Sequence, residues 1–179
     1  RVKMQEAQLD LLVLAMQDGD KRAFGLLYQH YHRDLRRFAA YLLANPTVAE
    51  DLVQNVWLKV SRRIARLNDP AVFTSWLYRA VRWEVLDYQK QAVNCKQQTI
   101  DSEALAAQVS PANSLHHTDD IGDLSKALAL LAAEERLVLQ LHYLHELELS
   151  QIALIVDIPL GTVKSRLHRA RQQLYQQLQ

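Results

Sequence analysis

Gln151-Ile-Ala-Leu-Ile-Val-Asp157-Ile-Pro159-Leu-Gly161-Thr-Val-Lys164-Ser-Arg166-Leu-His168-Arg169-Ala-Arg171 is the stretch from which the fold is read. Ile152, Ala153 and Val156 recur at helical spacing. Asp157 breaks that helix with a turn, and Pro159 restarts the chain. Proline is favoured in the first turn of a helix, because the amide it lacks has no partner there. The helix that follows carries Lys164, Arg166, Arg169 and Arg171 within two turns. Two short helices across a tight turn make a helix-turn-helix, whose second helix fits the major groove and presents side chains to base edges.

Upstream the same periodicity continues. Leu9, Leu12, Val13 and Met16 share a helical stripe that Gly19 ends. A second stripe runs through Phe24, Leu27, Tyr28, Tyr31, Leu35, Phe38 and Leu42 to Asn45-Pro46. Thr47 with Glu50 three residues on predicts a capping box that opens a third helix, running to about Leu67. Asn68-Asp69-Pro70 punctuates, and a fourth helix is expected over about Val72–Gln91. Residues 93–119 lose the period and are rich in Gln, Asn, Ser and Thr, which reads as a linker with a short apolar patch at Leu105-Ala-Ala. Leu124, Leu128, Leu131, Leu137, Val138, Leu141 and Leu144 then resume helical spacing across two helices that lead into the quoted stretch. The expectation is an all-α protein of two small helical domains, residues 1–92 and 120–179, joined by a flexible linker. The second domain contains the helix-turn-helix.

The chain has 179 residues, 49% of them apolar, with four Gly and four Pro, which leaves little room for strands and turns. No apolar run approaches the roughly 20 residues of a membrane span, and no signal peptide is visible. The expectation is a protein that is not itself a membrane protein. Cys95 is the single cysteine, which excludes an internal disulfide and fits a reducing, cytoplasmic setting. The net charge of +1 hides segregation: residues 1–92 carry +4, residues 93–159 carry −7, and residues 160–179 carry +4 with no acid at all. The last helix is therefore the most concentrated basic feature of the chain.

Ala49 to Val60, Ser75 to Tyr88 and Ile158 to Arg171, in that order, resemble the extracytoplasmic-function group of bacterial RNA polymerase sigma factors. Ala49-Glu-Asp51-Leu-Val-Gln54-Asn-Val-Trp57-Leu-Lys59-Val60 is similar to that group's core-polymerase-binding helix. Ser75-Trp76-Leu-Tyr78-Arg79-Ala-Val-Arg82-Trp83-Glu-Val-Leu-Asp87-Tyr88 is similar to its promoter-melting, −10-reading helix, and Ile158 to Arg171 to its −35-reading helix. The resemblance implies a promoter-specificity subunit with no catalytic residues and no cofactor, partnered by core RNA polymerase and promoter DNA. It also implies control by an anti-sigma factor, often a membrane-anchored one.

Each block has a reading of its own. Ala49, Leu52, Val53, Val56, Trp57 and Val60 form an apolar stripe suited to core packing. The opposite face carries Glu50, Asp51, Gln54 and Asn55, where the resemblance places the polymerase contact. In the fourth helix Trp76 sits at a core position, leaving Arg79, Arg82, Trp83 and Asp87 as the DNA-facing set. Aromatic rings and guanidinium planes stack on unpaired bases, worth about 1–3 kcal/mol per base. The resemblance also assigns the loop from Arg66 to Thr74 to a flipped base. Trp83 stands where the group commonly has Asn, which favours stacking over base-edge hydrogen bonding. In the last helix Lys164, Ser165, His168 and Arg169 share one face and by resemblance approach the −35 bases, while Arg166 and Arg171 lie to the side and suit phosphates. Asp157 occupies the group's usual turn glycine, and Glu148 its usual capping serine, which is expected to weaken both spots.

Two other readings share parts of this pattern: a DNA-binding regulator whose first domain senses a ligand or dimerises, and a pure interaction protein. The seven histidines, among them His30/His32, His116-His117 and His142/His145, lack the carboxylate or cysteine that would complete a metal site. No Ser-His-Asp order, Gly-rich phosphate loop or HExxH motif points to an enzyme.

Overall fold

A computed structural model describes residues 5–99 and 119–178, and all regular structure among them is helical. The described residues belong to two compact bodies, one on each side of residues 100–118. The first contains α1 (Glu6–Gln17), α2 (Lys21–Leu43), α3 (Pro46–Arg63) and α4 (Phe73–Thr99), with 3₁₀ turns at Ile64–Arg66 and Pro70–Val72 between the last two. The second contains α5 (Asp119–Leu130), α6 (Ala133–Tyr143), α7 (Leu149–Val156) and α8 (Leu160–Gln177).

The first body packs around the inner stripes of its four helices. Val13, Leu27, Leu35, Phe38, Val53, Val56, Val60, Phe73, Leu77 and Val81 are all buried to within 2% of full occlusion. A buried ring such as Phe38 is worth about 3–5 kcal/mol against alanine, so this core carries the fold of the body. α2 starts on Asp20, whose Oδ1 accepts from the Arg22 amide at 2.8 Å. It ends at Ala44, in the left-handed region at φ 53 and ψ 22. The turn into α3 is then only Ala44 and Asn45 long.

The capping box expected at Thr47 is not what opens α3. Asn45 is the N-cap: its Oδ1 accepts from the Thr47 and Val48 amides at 3.1 and 3.2 Å, with Pro46 next in line. Asn outranks Thr as a cap, and Pro fits the first helical position, so the stronger pair set the boundary two residues earlier. α3 ends at Arg63 and tightens into the 3₁₀ turn instead of running to Leu67. α4 continues through residues 93–99, which the polar composition assigned to the linker. Lys96, Gln97 and Gln98 are good helix formers and propagate a helix already nucleated by a packed segment, whatever their polarity. The rest of the linker reading, with Leu105-Ala-Ala and His116-His117, lies outside the described residues.

The second body is held by Val138, Leu141, Ile152, Ile155, Val163 and Ala170, each fully buried. α7 meets α8 through Asp157, at φ 61 and ψ 49, the left-handed turn for which the sequence offered no glycine. The Ile158 amide donates back to the Ala153 carbonyl at 3.2 Å and closes the end of α7. The weak cap expected at Glu148 is compensated: Gln151 Oε1 accepts from the Glu148 amide at 3.0 Å. Pro159 stands at the N-cap of α8 and fixes the chain as it enters that helix.

Candidate nucleic-acid interface

α3 turns Asp51, Gln54 and Asn55 outward, all exposed, because Ala49, Leu52, Val53, Val56, Trp57 and Val60 on the other side are buried. Glu50 belongs to that outer group only in part. His32 Nε2 lies 3.0 Å from its Oε1, Arg36 Nη1 donates to its Oε2 at 3.4 Å, and Gln54 Nε2 donates to Oε1 at 3.3 Å. Partial burial pushes the Glu50 carboxyl up, but the Gln54 hydrogen bond and the His32 and Arg36 charges outweigh it, and the pKa is lowered. Leu58, four residues beyond Gln54, is 58% exposed and extends the outer face with an apolar group. Composition could have flagged it, since it is the one large apolar residue in that block off the buried stripe.

On α4, Arg79, Trp83 and Asp87 follow one another at four-residue steps, with Arg82 beside them. Trp83 is 55% exposed and Asp87 is exposed; the two arginines are half-buried. Tyr88 also faces solvent, whereas Tyr78 is buried against Phe38, so the aromatic-rich block divides into core and surface rings. Trp76 is half-buried, its ring 6.2 Å from that of Phe73. Lys59 pairs with Glu84, tying α3 to α4 below the exposed stripe.

The loop from Arg66 to Thr74 is anchored at three points. Gln17 Nε2 donates to the carbonyls of Ile64 at 3.0 Å and Leu67 at 2.7 Å. Asp69 Oδ1 accepts from the Ala71 amide at 3.0 Å. Tyr31 and Thr74 share a hydroxyl–hydroxyl bond of 2.7 Å, and burial pushes the Tyr31 phenol above its ordinary value, which keeps it neutral.

α8 presents Lys164, Ser165, His168 and Arg169 as exposed residues on one side, with Val163, Leu167 and Ala170 buried on the other. No acid lies in its first turn, so the positive end of the helix dipole adds to the basic charge. Ser165 Oγ donates to the Thr162 carbonyl at 3.0 Å. The flanking arginines are engaged: Arg166 Nη2 lies 2.5 Å from Glu134 Oε2, and Arg171 Nε donates to Tyr143 Oη at 2.7 Å. Arg169 Nε is 3.7 Å from Glu135 Oε1. Sequence reasoning missed these α6 partners.

The comparisons with known proteins map onto these bodies. Residues 27–93, from α2 to α4, match the family described as Sigma-70 region 2, and residues 121–174, from α5 to α8, match Sigma-70, region 4. The chain is similar to the ECF RNA polymerase sigma factor SigW of Bacillus subtilis, with 27% identity covering 97% of this chain and 98% of that protein. It is similar to the ECF RNA polymerase sigma factor SigE of Mycolicibacterium smegmatis, with 32% identity over 83% of this chain and 58% of that one. Among solved structures it resembles the sigma factor RpoE in complex with the anti-sigma factor NepR from Bartonella quintana, with a TM-score of 0.66, 26% identity, and 87% and 96% of the two chains covered. It shares its fold with CnrH, solved with the cytosolic domain of CnrY, at a TM-score of 0.67 and 20% identity over 95% and 96% of the chains.

Proposed function

This chain belongs to the extracytoplasmic-function group of RNA polymerase sigma factors, and from that premise we propose how its two bodies divide the work of promoter recognition. As a sigma factor it directs core RNA polymerase to promoters, under anti-sigma control. The observation that carries the division of labour is that the two bodies turn helix faces of distinct chemistry to solvent: an aromatic–arginine stripe on α4 of the first and a basic face on α8 of the second.

Residues 1–92 are the unit that binds core polymerase and melts the −10 region. Asp51, Gln54 and Asn55, with Leu58 beside them, make the polymerase contact, and Glu50 shapes that face through His32 and Arg36. Arg79, Arg82, Trp83 and Asp87 meet the −10 strand. Opening a duplex costs about 1.4 kcal/mol of stacking per step, so two or three bases held at about 1–3 kcal/mol each sustain a short bubble. Residues 120–179 read the −35 element through Lys164, Ser165, His168 and Arg169, with Arg166 and Arg171 on phosphates. The family is not enzymatic in general; in this reading the polymerase supplies the chemistry. The setting is cytoplasmic, and among the described residues no helix is long and apolar enough to cross a membrane.

Run-off transcription from a genomic fragment library, with purified core polymerase and this chain, tests the whole reading. Discrete start sites that vanish without the chain are expected. Asp51→Ala combined with Gln54→Ala should weaken association with core polymerase while leaving the helical content unchanged, and an unaltered affinity removes that interface.

A further inference from the structure

The acidic pair that opens α6 lies against the basic helix. Glu134 and Glu135 stand in the first turn of α6, where carboxylates offset the positive end of the helix dipole. That accounts for two acids at this point of the chain, but not for the burial of one of them. Glu135 is 7% exposed, and its Oε2 is occluded with no hydrogen-bond partner. A glutamate is rarely buried so completely without a compensating cation. Arg169 supplies one, with Nε 3.7 Å from Oε1, an ion-pair separation longer than a hydrogen bond.

The neighbouring pair is arranged the other way round. Glu134 is 69% exposed and Arg166 only 17%, so there the arginine is fixed and the acid is free to move. In the Glu135–Arg169 pair the acid is fixed at 10% side-chain exposure and the arginine reaches out at 59%. A carboxylate locked in a core does not follow its partner; it orients it. A guanidinium is a rigid planar fork of five donors, so an acid held near its Nε edge, even at an ion-pair separation of 3.7 Å, draws that edge inward and limits where the group can lie. The two terminal amino groups are then left as a pair, which is what a bidentate contact to guanine O6 and N7 requires.

We propose that Glu135 is a positioning residue for base reading by Arg169, so that the start of α6 helps to set the −35 preference of α8. The inference rests on the reading of Arg169 as a base contact. Its test is selection of promoter fragments, randomised across the −35 element, by holoenzyme assembled from core polymerase and the full chain. The variants are Glu135→Gln, Arg169→Ala and the double substitution. A preference is a ratio between two DNA sequences on one preparation, so partial unfolding cancels from it.

Arg169→Ala should flatten the preference at one or two base positions, and Glu135→Gln should lower it at those same positions by about fivefold, a part of what a bidentate contact gives. In the Arg169→Ala background Glu135→Gln should add nothing. If Glu135→Gln yields no active holoenzyme, Glu135→Asp, which withdraws the charge by one methylene, should give the same pattern with a smaller amplitude. A uniform loss at every position, or an equal effect in both backgrounds, overturns the inference and marks Glu135 as merely structural. An effect of Arg169→Ala with none from either Glu135 variant overturns it while sparing the base contact. No effect of Arg169→Ala on any position removes the base contact and this inference with it.

Discussion

Gln17 reaches from the end of α1 to the Leu67 carbonyl, its Nε2 donating at 2.7 Å across 50 residues of sequence, and the same nitrogen donates to the Ile64 carbonyl at 3.0 Å. One amide group thus fastens the first helix to the loop that precedes α4. Neither carbonyl belongs to a regular α-helix, so without Gln17 both lose a partner in a part-buried setting.

Gln17→Ala should therefore lower the stability of the first body by about 1–2 kcal/mol, since each such bond nets about 0.5–1.5 kcal/mol. In a domain of this size that corresponds to a fall of about 4–16 °C in Tm. If the loop cups a base, promoter melting should suffer more than duplex binding. A fluorescent base analogue in the −10 element would report opening, and a mobility shift would report binding. Equal losses in the two would detach the loop from melting.

Ala44 marks a place where this chain departs from what its backbone wants. It sits at φ 53 and ψ 22, where the alanine methyl crowds the backbone and glycine does not. Ala44→Gly should raise stability by about 0.5–1 kcal/mol, read as a higher midpoint in urea with an unchanged slope. Run-off transcription should be unaltered, because the residue belongs to no proposed contact. A fall in midpoint would mean that glycine's greater freedom in the unfolded chain outweighs the relief.

These two sites show what could and could not be read from residues in order. The apolar stripes of α2 and α3 were legible because burial imposes a period, and Leu27 and Val56 fall inside as the period requires. The start of α3 was misplaced because two capping signals overlap: Thr47 with Glu50 competes with Asn45-Pro46, and only geometry chooses between them. The length of α4 was underestimated because polar residues are read as loop, although a helix extended from a packed segment needs no apolar face of its own. The outward residues of α3 and α8 were named from pattern and resemblance, but Glu134, Glu135, Tyr143 and Gln17 were not. Each of those acts through a contact far away in sequence, and no local spacing carries that information.

Glu50 should make the first body acid-sensitive in a defined window. Its folded pKa is depressed, so its favourable contacts with His32, Arg36 and Gln54 are fully present above the unfolded glutamate value of about 4.3 and are lost as pH falls through the folded value. Glu50→Gln should remove that part of the pH dependence, so that the wild-type and variant Tm curves converge as the pH falls through the depressed folded value. Thermal melts between about pH 3 and 7 would show this. Parallel curves across the range would mean the carboxylate's charge is not what those partners recognise.

Trp83 is expected to matter for melting and hardly at all for folding, since more than half of it is in solvent. Trp83→Ala should change stability by no more than about 0.5 kcal/mol and reduce open-complex formation by about five- to a hundredfold, the worth of one stacked base. Trp83→Phe should recover most of it, whereas Trp83→Asn should recover it only where the promoter offers a base edge to the amide. Recovery by Asn and not by Phe would mean that hydrogen bonding, not stacking, is what this position contributes.

The two flanking arginines of α8 should differ from Arg169 in how salt affects them. A phosphate contact releases a counterion, so losing one reduces the slope of log affinity against log salt by about 0.9 and weakens all sequences alike. Both are engaged in the free protein, Arg166 with Glu134 and Arg171 with Tyr143, so each must leave or share a partner to reach the backbone. Arg171 is exposed, with its guanidinium carbon 5.4 Å from the centre of the Tyr143 ring, and can share. Arg166 has 17% of its side chain exposed and must give something up. Arg171→Ala should then flatten the salt dependence of holoenzyme binding by nearly one unit, and Arg166→Ala by less, with a larger cost in Tm because its pairing to α6 is lost. Arg169→Ala should instead relax −35 preference. Titrations of each variant at four or five salt concentrations separate the three, and identical slopes and preferences for all of them would dissolve the division between phosphate-facing and base-facing residues.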